Sequence, residues 1–264
     1  MKTALITGVS GGMGRAAAER LIRDGWTVCG LDLREPEDYG SFRFFRTDLT
    51  DPEAVGEAAR TMEREGIRFD AVVHMAGVYE LNSLLEMEDE DWRRVFEVNL
   101  YAAYRVNRAF LPLLSENARI LLTASELAPL CPLPFTGIYA VTKAALEKYA
   151  LALRMEMQLL GHRVIVLEPG AVDTGLLDVS TEKLERFCRT TKLYPHGAER
   201  MRTIVDRVEA RKIPPERIAD LVSRILAAKR PRGVYRLNRN PLLLMLNLLP
   251  VSVQCALIRR ILRD

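Results

Sequence analysis

The stretch TALITGVSGGMGRAAAERLIRDG, residues 3–25, decides the fold class. TALITG is a short apolar run that ends in glycine, which is typical of a buried strand, and GRAAAERLIRDG has helical spacing of its apolar residues. Between them, Gly8, Gly12 and Gly14 lie where the strand gives way to the helix. Glycines at this point let the backbone turn tightly and approach a pyrophosphate, which a helix N-terminus attracts. The stretch therefore predicts a strand, a nucleotide-binding turn and a helix.

The same alternation continues along the chain. Apolar runs predict further strands in 26–33, 69–77, 118–125 and 162–170, and helical patterns separate them over 51–66, 89–114 and 138–160. The strands are continuously apolar, which favours a parallel sheet covered by helices on both faces. The sequence thus predicts one α/β domain over 1–240, with the polar, basic residues of about 175–213 inserted as a lid over a site. The apolar residues 241–264 form a separate tail.

Composition excludes several classes of protein. The 38 basic and 35 acidic residues leave a net charge of +3, which is too balanced for a nucleic-acid binder. The cysteines are scattered, without the spacing of a metal site, and are expected to be reduced and mostly buried. They are Cys29, Cys131, Cys188 and Cys255. The N-terminal apolar run lacks the length and cleavage region of a signal peptide, so we expect a cytoplasmic protein without a metal.

Asp32, at the end of the second predicted strand, lies 18 residues after Gly14. A carboxylate at about this distance can hydrogen-bond the ribose 2′-hydroxyl and repel a 2′-phosphate, which predicts NAD over NADP. Arg34 leaves NADP possible, because an arginine there can accept the phosphate. Asp48 could meet the adenine edge, or could equally be a residue that starts a helix.

Five further motifs follow in order: HMAG at 74–77, Asn99 in VNL, Ser125 in TAS, YAVTK at 139–143 and PGAVDT at 169–174. Together with the glycine turn, over about residues 3–175, they resemble the short-chain dehydrogenases/reductases. In character the chain is nearest to members that act on hydrophobic alcohols such as retinoids or hydroxysteroids. The resemblance implies a Rossmann-type doubly wound parallel sheet and a nicotinamide cofactor.

The resemblance also implies catalytic roles. Tyr139 is expected to be the general acid/base, and Lys143, one helical turn later, to lower its pKa together with the cofactor's positive charge. Ser125 would hydrogen-bond the substrate oxygen, with Thr123 as a possible substitute. Asn99 would help to hold a water relay to the lysine.

The cofactor-binding residues implied by the resemblance share one edge of the predicted sheet, and Thr174 among them would bind the nicotinamide carboxamide. They are Gly8, Ser10, Gly12, Met13, Gly14, Asp32, Asp48, Leu49, Ala76, Gly77, Tyr139, Lys143, Pro169, Gly170, Val172 and Thr174.

Two features depart from the family pattern. His74-Met75 replaces the usual pair of asparagines, and we interpret His74 as a packed structural histidine because it follows a buried apolar run. The gap between Ser125 and Tyr139 is one residue longer than is common, and the proline-rich loop ELAPLCPLPFTGI can absorb the insertion.

The substrate end of this loop is apolar, and Leu127, Leu133 and Phe135 are its candidate substrate contacts. They favour a hydrophobic alcohol or ketone over a sugar, although a loop packed for rigidity is an equal alternative. The function expected is an NAD-dependent oxidoreductase that interconverts such an alcohol and its ketone or aldehyde. The alternatives are an NADPH-dependent carbonyl reductase and a non-catalytic nucleotide-binding or membrane-docked protein on the same fold.

The tail is the last informative segment. Residues 241–258 carry no charge, six basic and no acidic residues occupy 224–239, and three arginines lie within 259–263. Basic flanks around an apolar segment predict peripheral membrane contact, whereas Pro250 argues against a spanning helix. Packing over the pocket or a partner subunit is an equal alternative. Apolar residues on several faces of the helix at 143–160 favour a homodimer or homotetramer.

Overall fold

The computed structural model describes residues 1–36, 42–209 and 211–263, without the side chains of 176–181 and 206–209. Seven parallel strands form one sheet in the order β3-β2-β1-β4-β5-β6-β7. They are β1 Thr3–Thr7, β2 Thr27–Asp32, β3 Arg43–Arg46, β4 Phe69–His74, β5 Leu114–Thr123, β6 Arg163–Pro169 and β7 Val234–Leu237. The chain begins in the middle of the sheet, builds one side and returns to build the other. The crevice between β1 and β4 is therefore a topological switch point, where ligands bind in such sheets.

Ten helices connect and flank these strands in the described part of the chain. They are α1 Gly12–Arg23, α2 Pro52–Arg64, α3 Asp89–Phe96, α4 Ala102–Phe110, α5 Gly137–Met157, α6 Gly175–Thr190, α7 Pro195–Glu209, α8 Pro215–Ala227, α9 Pro241–Asn247 and α10 Val251–Leu262.

Alternate residues of each strand pack on opposite faces of the sheet. Ala4 and Ile6 of β1 join the core beneath α1 and α8, whereas Leu5 joins the core beneath α2 and α4. Residues of β5 and β6 pack against α5 on this second face. Both faces are covered, which explains why the strands are continuously apolar and confirms the predicted doubly wound parallel sheet.

The helix predicted over 89–114 is not continuous. It is divided into α3 and α4 by a π-helical turn at Glu97–Tyr101, and β5 already begins at Leu114. The predicted start of α2 is confirmed, because the Asp51 carboxylate accepts a hydrogen bond from the Glu53 N–H at 2.9 Å and Pro52 is the first helical residue.

The edge strands β3 and β7 and the helix α8 were not predicted from the sequence. β3 and β7 have only four residues each and are not fully buried, so neither shows a long apolar run. Their strand conformation comes from pairing with β2 and β6, which is a long-range interaction.

Candidate active site

A cavity of about 150 Å³ opens at the carboxyl ends of β4, β5 and β6. Its wall brings together Ser125, Tyr139 and Lys143 with the predicted substrate contacts Leu127 and Leu133. Half of the predicted cofactor-binding residues also line it, namely Met13, Gly77, Tyr139, Lys143, Pro169, Gly170, Val172 and Thr174.

The other predicted cofactor-binding residues lie outside this cavity. Most of them belong to the glycine turn or lie next to it. They are Gly8, Ser10, Gly12, Gly14, Asp32, Asp48, Leu49 and Ala76. Leu49 and Ala76 line a second, smaller cavity that also contains Asn99.

The glycine turn approaches its surroundings more closely than any side chain would allow. Gly8 has φ +70°, and a Cβ there would lie 2.6 Å from the backbone nitrogen of Ala76. A Cβ on Gly12 would lie 2.7 Å from Cγ2 of Thr174. α1 begins at Gly12, and its N-cap residue Gly11 has no side chain that could cap the free N–H groups of the first turn. This cradle fits the pyrophosphate of a dinucleotide.

Asp32 lies beside this turn. One carboxylate oxygen accepts a hydrogen bond from the Ser10 N–H at 3.0 Å and the other from the Arg34 N–H at 3.2 Å. These contacts fix the carboxylate next to the turn, where the adenosine ribose of a bound dinucleotide would lie.

Asp48 has a local partner instead. Its Oδ1 accepts hydrogen bonds from the backbone N–H of Thr50 at 2.8 Å and from the Thr50 hydroxyl at 2.7 Å. These bonds shape the turn that leads into α2. The N-cap of α2 is Asp51, and the contact of Asp48 with the adenine edge stays a prediction.

Lys143 is buried one turn after Tyr139 on α5. Its ammonium donates to the Thr123 carbonyl oxygen at 2.9 Å and lies 5.7 Å from the centre of the Tyr139 ring. Burial lowers the pKa of Lys143 to about 8, because the charged ammonium is less stable away from water than the neutral amine.

Tyr139 is buried as well, and its hydroxyl hydrogen-bonds with Ser125. Burial raises the pKa of Tyr139 to about 12, and the nearby Glu126 carboxylate also raises it, although the Ser125 bond acts in the opposite direction. The expected lowering of the Tyr139 pKa is therefore absent from the protein alone. Desolvation of the phenolate outweighs the other effects.

The side chain of Asn99 ties two elements together. Its Oδ1 accepts from the Val78 N–H at 2.8 Å, while its Nδ2 donates to the Val78 carbonyl at 3.0 Å and to the Thr142 hydroxyl at 3.0 Å. The π-helical turn presents it towards Gly77, where a Cβ would lie 3.3 Å from both Asn99 Oδ1 and Lys143 Nζ. Asn99 thus fixes the segment after β4 against α5 beside the lysine.

His74 is buried at the end of β4, and its Nε2 lies 2.8 Å from Asn107 Oδ1. The Asn107 amide donates to the Tyr149 hydroxyl at 3.0 Å, so its oxygen faces the histidine and accepts from Nε2–H. Burial lowers the pKa of His74 to about 4, which keeps the ring neutral. The interpretation of His74 as a packed structural histidine is confirmed by this geometry.

Phe135 does not line the cavity, although the sequence analysis included it among the substrate contacts. Its ring packs against Phe187 and Tyr194, with centroid distances of 4.7 and 5.4 Å. These two rings belong to α6 and to the residue just before α7. Phe135 therefore packs between the loop and these helices, in a hydrophobic cluster behind the residues that line the cavity.

Several cavity residues were missed by the sequence analysis. Tyr79 lies with its ring 4.4 Å from that of Tyr139, centroid to centroid, and Glu126 follows Ser125. Met201, Ile204 and Val205 of α7 form another part of the wall. Their spacing along one helical face was a signal for burial, but the basic residues around them concealed it.

Glu126 and Lys143 are the charged residues among those that line the cavity in the described part of the chain. One Glu126 carboxylate oxygen accepts from the Asn240 N–H at 2.6 Å, and burial raises the pKa of Glu126. The remaining wall is mostly apolar, so the site combines a buried acid/base group with space for a hydrophobic molecule.

The family model for the short chain dehydrogenase matches residues 2–185, which include the glycine turn and the buried Ser125, Tyr139 and Lys143. The chain belongs to this family. As the oxidoreductases of this family do, it is expected to use NAD or NADP with small substrates.

Two curated relatives cover most of this short-chain dehydrogenase. The 3-ketodihydrosphingosine reductase of Bacteroides thetaiotaomicron is 25% identical over 243 residues, which are 92% of this chain and 89% of that protein. The NADPH-dependent 3-dehydrocapnine reductase of Ornithobacterium rhinotracheale is 27% identical over 252 residues, which are 89% of this chain and 87% of the relative. A crystal structure of a short-chain dehydrogenase from Streptomyces avermitilis matches with a TM-score of 0.75 at 25% identity, covering 97% of this chain and 94% of the other.

Proposed function

We propose that this short-chain dehydrogenase interconverts a hydrophobic alcohol and its ketone or aldehyde, with NAD as the preferred cofactor. The observation that carries the proposal is the buried group of Ser125, Tyr139 and Lys143 at the end of a mostly apolar cavity. A protein that only binds a nucleotide does not require a tyrosine hydroxyl that is hydrogen-bonded to a serine inside such a cavity.

In the direction of reduction, Tyr139 gives its proton to the substrate oxygen while Ser125 hydrogen-bonds the same oxygen. When bound, the nicotinamide supplies the hydride. Lys143 stabilises the tyrosinate that forms, since its ammonium lies over the same ring. The buried tyrosine has a raised pKa, which favours holding the proton until the substrate oxygen takes it.

The preference for NAD rests on Asp32, whose carboxylate lies beside the glycine turn. A 2′-phosphate would meet this negative charge, whereas a 2′-hydroxyl could donate to it. An NADPH-dependent carbonyl reductase is the second candidate, favoured by Arg34 and by the NADPH dependence in the name of the relative from Ornithobacterium.

The substrate class is supported by the cavity wall and by the relatives. Leu127, Leu133, Met201 and Ile204 offer apolar surface on two sides of the cavity. Both curated relatives are named as reductases of a 3-keto or 3-dehydro compound, which is 3-ketodihydrosphingosine in one case and 3-dehydrocapnine in the other. Ketones with long alkyl chains are accordingly the first substrates to test.

The test is a panel of ketones and alcohols of graded alkyl-chain length, each offered with NADH or NADPH and with NAD or NADP. Turnover is followed by the absorbance of the reduced nicotinamide. We expect kcat/KM to rise with chain length and to be higher with NAD(H). Nucleotide binding without turnover on the whole panel would support the non-catalytic alternative, and higher kcat/KM with NADPH would support the second candidate.

Two further features belong to the same proposal. Residues 175–213 act as a lid, because α7 contributes Met201, Ile204 and Val205 to the wall. A homodimer or homotetramer is supported by the exposed apolar side chains of α4 and α5, among them Tyr104, Val141, Leu151 and Met155. Light scattering measures the mass in solution, and a monomer at all concentrations would contradict this part.

A further inference from the structure

The C-terminal hairpin, defined as α9, α10 and the turn between them, exposes an unusual amount of apolar surface. Leu248 is 84% exposed, and Leu242, Met245 and Val251 each exceed 60%. Isolated exposed leucines are ordinary, but a contiguous apolar group of this kind indicates an interaction surface.

The pattern within α10 is ordered. Val253, Leu257 and Ile261 are all exposed and recur every four residues, so they form one stripe along the helix. Gln254 is buried on the side that packs against the protein. Arg260 follows Leu257 by three residues and therefore lies beside the stripe. An apolar stripe with basic residues at its border is the pattern of a helix that lies in a lipid interface.

The charged side chains of the hairpin segment have one sign. Residues 241–263 contain three basic side chains, Arg259, Arg260 and Arg263, and no acidic one. In a symmetric contact between two copies of this surface, residues 241–263 of neither copy would supply a carboxylate to pair with the arginines of the other. An anionic lipid surface complements both the apolar stripe and the basic border.

The hairpin is held in place by defined hydrogen bonds. The Asn247 side chain accepts from the Cys131 N–H at 2.7 Å, and the Gln254 amide donates to the Leu249 carbonyl at 2.9 Å. The Arg200 guanidinium of α7 donates to the carbonyls of Ile261 at 3.2 Å and Arg263 at 2.6 Å. The apolar side chains are therefore presented outwards by a fixed structure.

These hydrogen bonds also connect the hairpin to the cavity. Cys131 belongs to the loop whose Leu127 and Leu133 line the cavity, and Arg200 precedes Met201 of the cavity wall. None of the helices in the described residues has the length and apolar character needed to cross a bilayer. We propose that the C-terminal hairpin docks this protein peripherally on an anionic phospholipid bilayer and brings the cavity next to the lipid.

Flotation with phosphatidylcholine vesicles, with and without phosphatidylglycerol, tests the proposal. We expect binding to the anionic vesicles that weakens with added salt. Leu248→Glu should lower the partition coefficient by about tenfold, since it removes buried apolar area and adds a negative charge. The matched control is Leu159→Glu, at a leucine that is 83% exposed after α5, which should bind as the wild type does.

The contribution of the arginines to membrane binding is tested separately. Replacement of Arg259 and Arg260 by glutamine should weaken binding to anionic vesicles by roughly fivefold for each arginine, converted from about 1 kcal/mol per side chain near the surface. Replacement of Arg64 and Arg68, which are exposed at the end of α2 and after it, is the control and should change nothing. Circular dichroism checks that each variant is folded.

Three results would overturn the proposal: no binding to either vesicle, equal losses for Leu248→Glu and Leu159→Glu, or a Leu248→Glu variant that changes from dimer to monomer and binds vesicles unchanged. The last result would assign the hairpin to a second copy of the chain. Tyr139→Phe should bind vesicles normally, so failure of the oxidoreductase proposal would leave this test intact.

Discussion

The glycine turn at residues 7–14 and the proposed catalytic half of the site, which consists of the residues around Tyr139, occupy neighbouring parts of the same sheet edge, yet they are built differently. The proposed role of the turn depends on its backbone, because a Cβ on Gly8 would lie 2.6 Å from Ala76 and one on Gly12 would lie 2.7 Å from Thr174. The catalytic half buries titratable side chains, and burial shifts the pKa of each away from its ordinary value. Substitutions in the turn should therefore act by steric clash with the backbone and Thr174. Substitutions in the catalytic half should act by changing which groups can give or take a proton.

The largest effect is expected at Tyr139. Tyr139→Phe removes the proton donor but keeps the ring that packs on Tyr79. We expect turnover to fall by about 10²–10⁴-fold, which is the usual contribution of a general acid. Nucleotide affinity, measured by fluorescence titration, should change little. Turnover close to that of the wild type would remove Tyr139 from the mechanism.

The steric role of the glycine turn can be tested with a matched pair, Gly8 in the turn and Gly66 after α2. Both have φ near +70°, but a Cβ on Gly66 meets no atom within 4 Å, whereas one on Gly8 meets Ala76 at 2.6 Å. Gly66→Ala should cost roughly 1–2 kcal/mol of unfolding free energy for its conformation alone. Gly8→Ala should cost a further 1–3 kcal/mol or so and weaken nucleotide binding.

Urea unfolding curves of the two glycine variants give this difference directly. Equal losses in free energy would mean that the close approach to Ala76 contributes nothing and that only the backbone angle matters.

His74 should make stability depend on pH. Its pKa is about 4 in the folded protein against 6.5 for a free histidine, so the unfolded chain binds more protons in between. The stability contributed by the neutral ring is full above pH 6.5 and is lost as the pH falls towards 4, by up to about 3 kcal/mol. His74→Asn should flatten the dependence in this window. Urea titrations at several pH values measure the slopes, and identical slopes would exclude His74 as the cause.

The smallest effect is expected at Asp32. Asp32→Asn keeps the shape and removes the charge, so the ratio of kcat/KM for NAD(H) over NADP(H) should fall by roughly tenfold, equivalent to about 1.4 kcal/mol. Asp48→Asn is the control, because its oxygen is bound to Thr50 and adenine is common to both cofactors. A ratio that moves equally in both variants would refute the role of Asp32.

Local features could be predicted from the sequence because they depend on short-range rules. The glycine turn, the Asp51 cap and the burial of His74 each follow from a few neighbouring residues. The edge strands β3 and β7 could not be predicted in the same way. Their four residues each become strands by pairing with β2 and β6, which adjacent residues do not reveal.

The sequence by itself determined the fold class, the family resemblance and the identities of Ser125, Tyr139 and Lys143, because spacing and order are written in the chain. Only the tertiary structure decided how burial shifts the pKa values of Tyr139 and Lys143. It also placed Phe135 behind the cavity wall and gave α7 a share of that wall. The physical reason is that solvation and packing depend on residues that are distant in sequence and meet only in the folded chain.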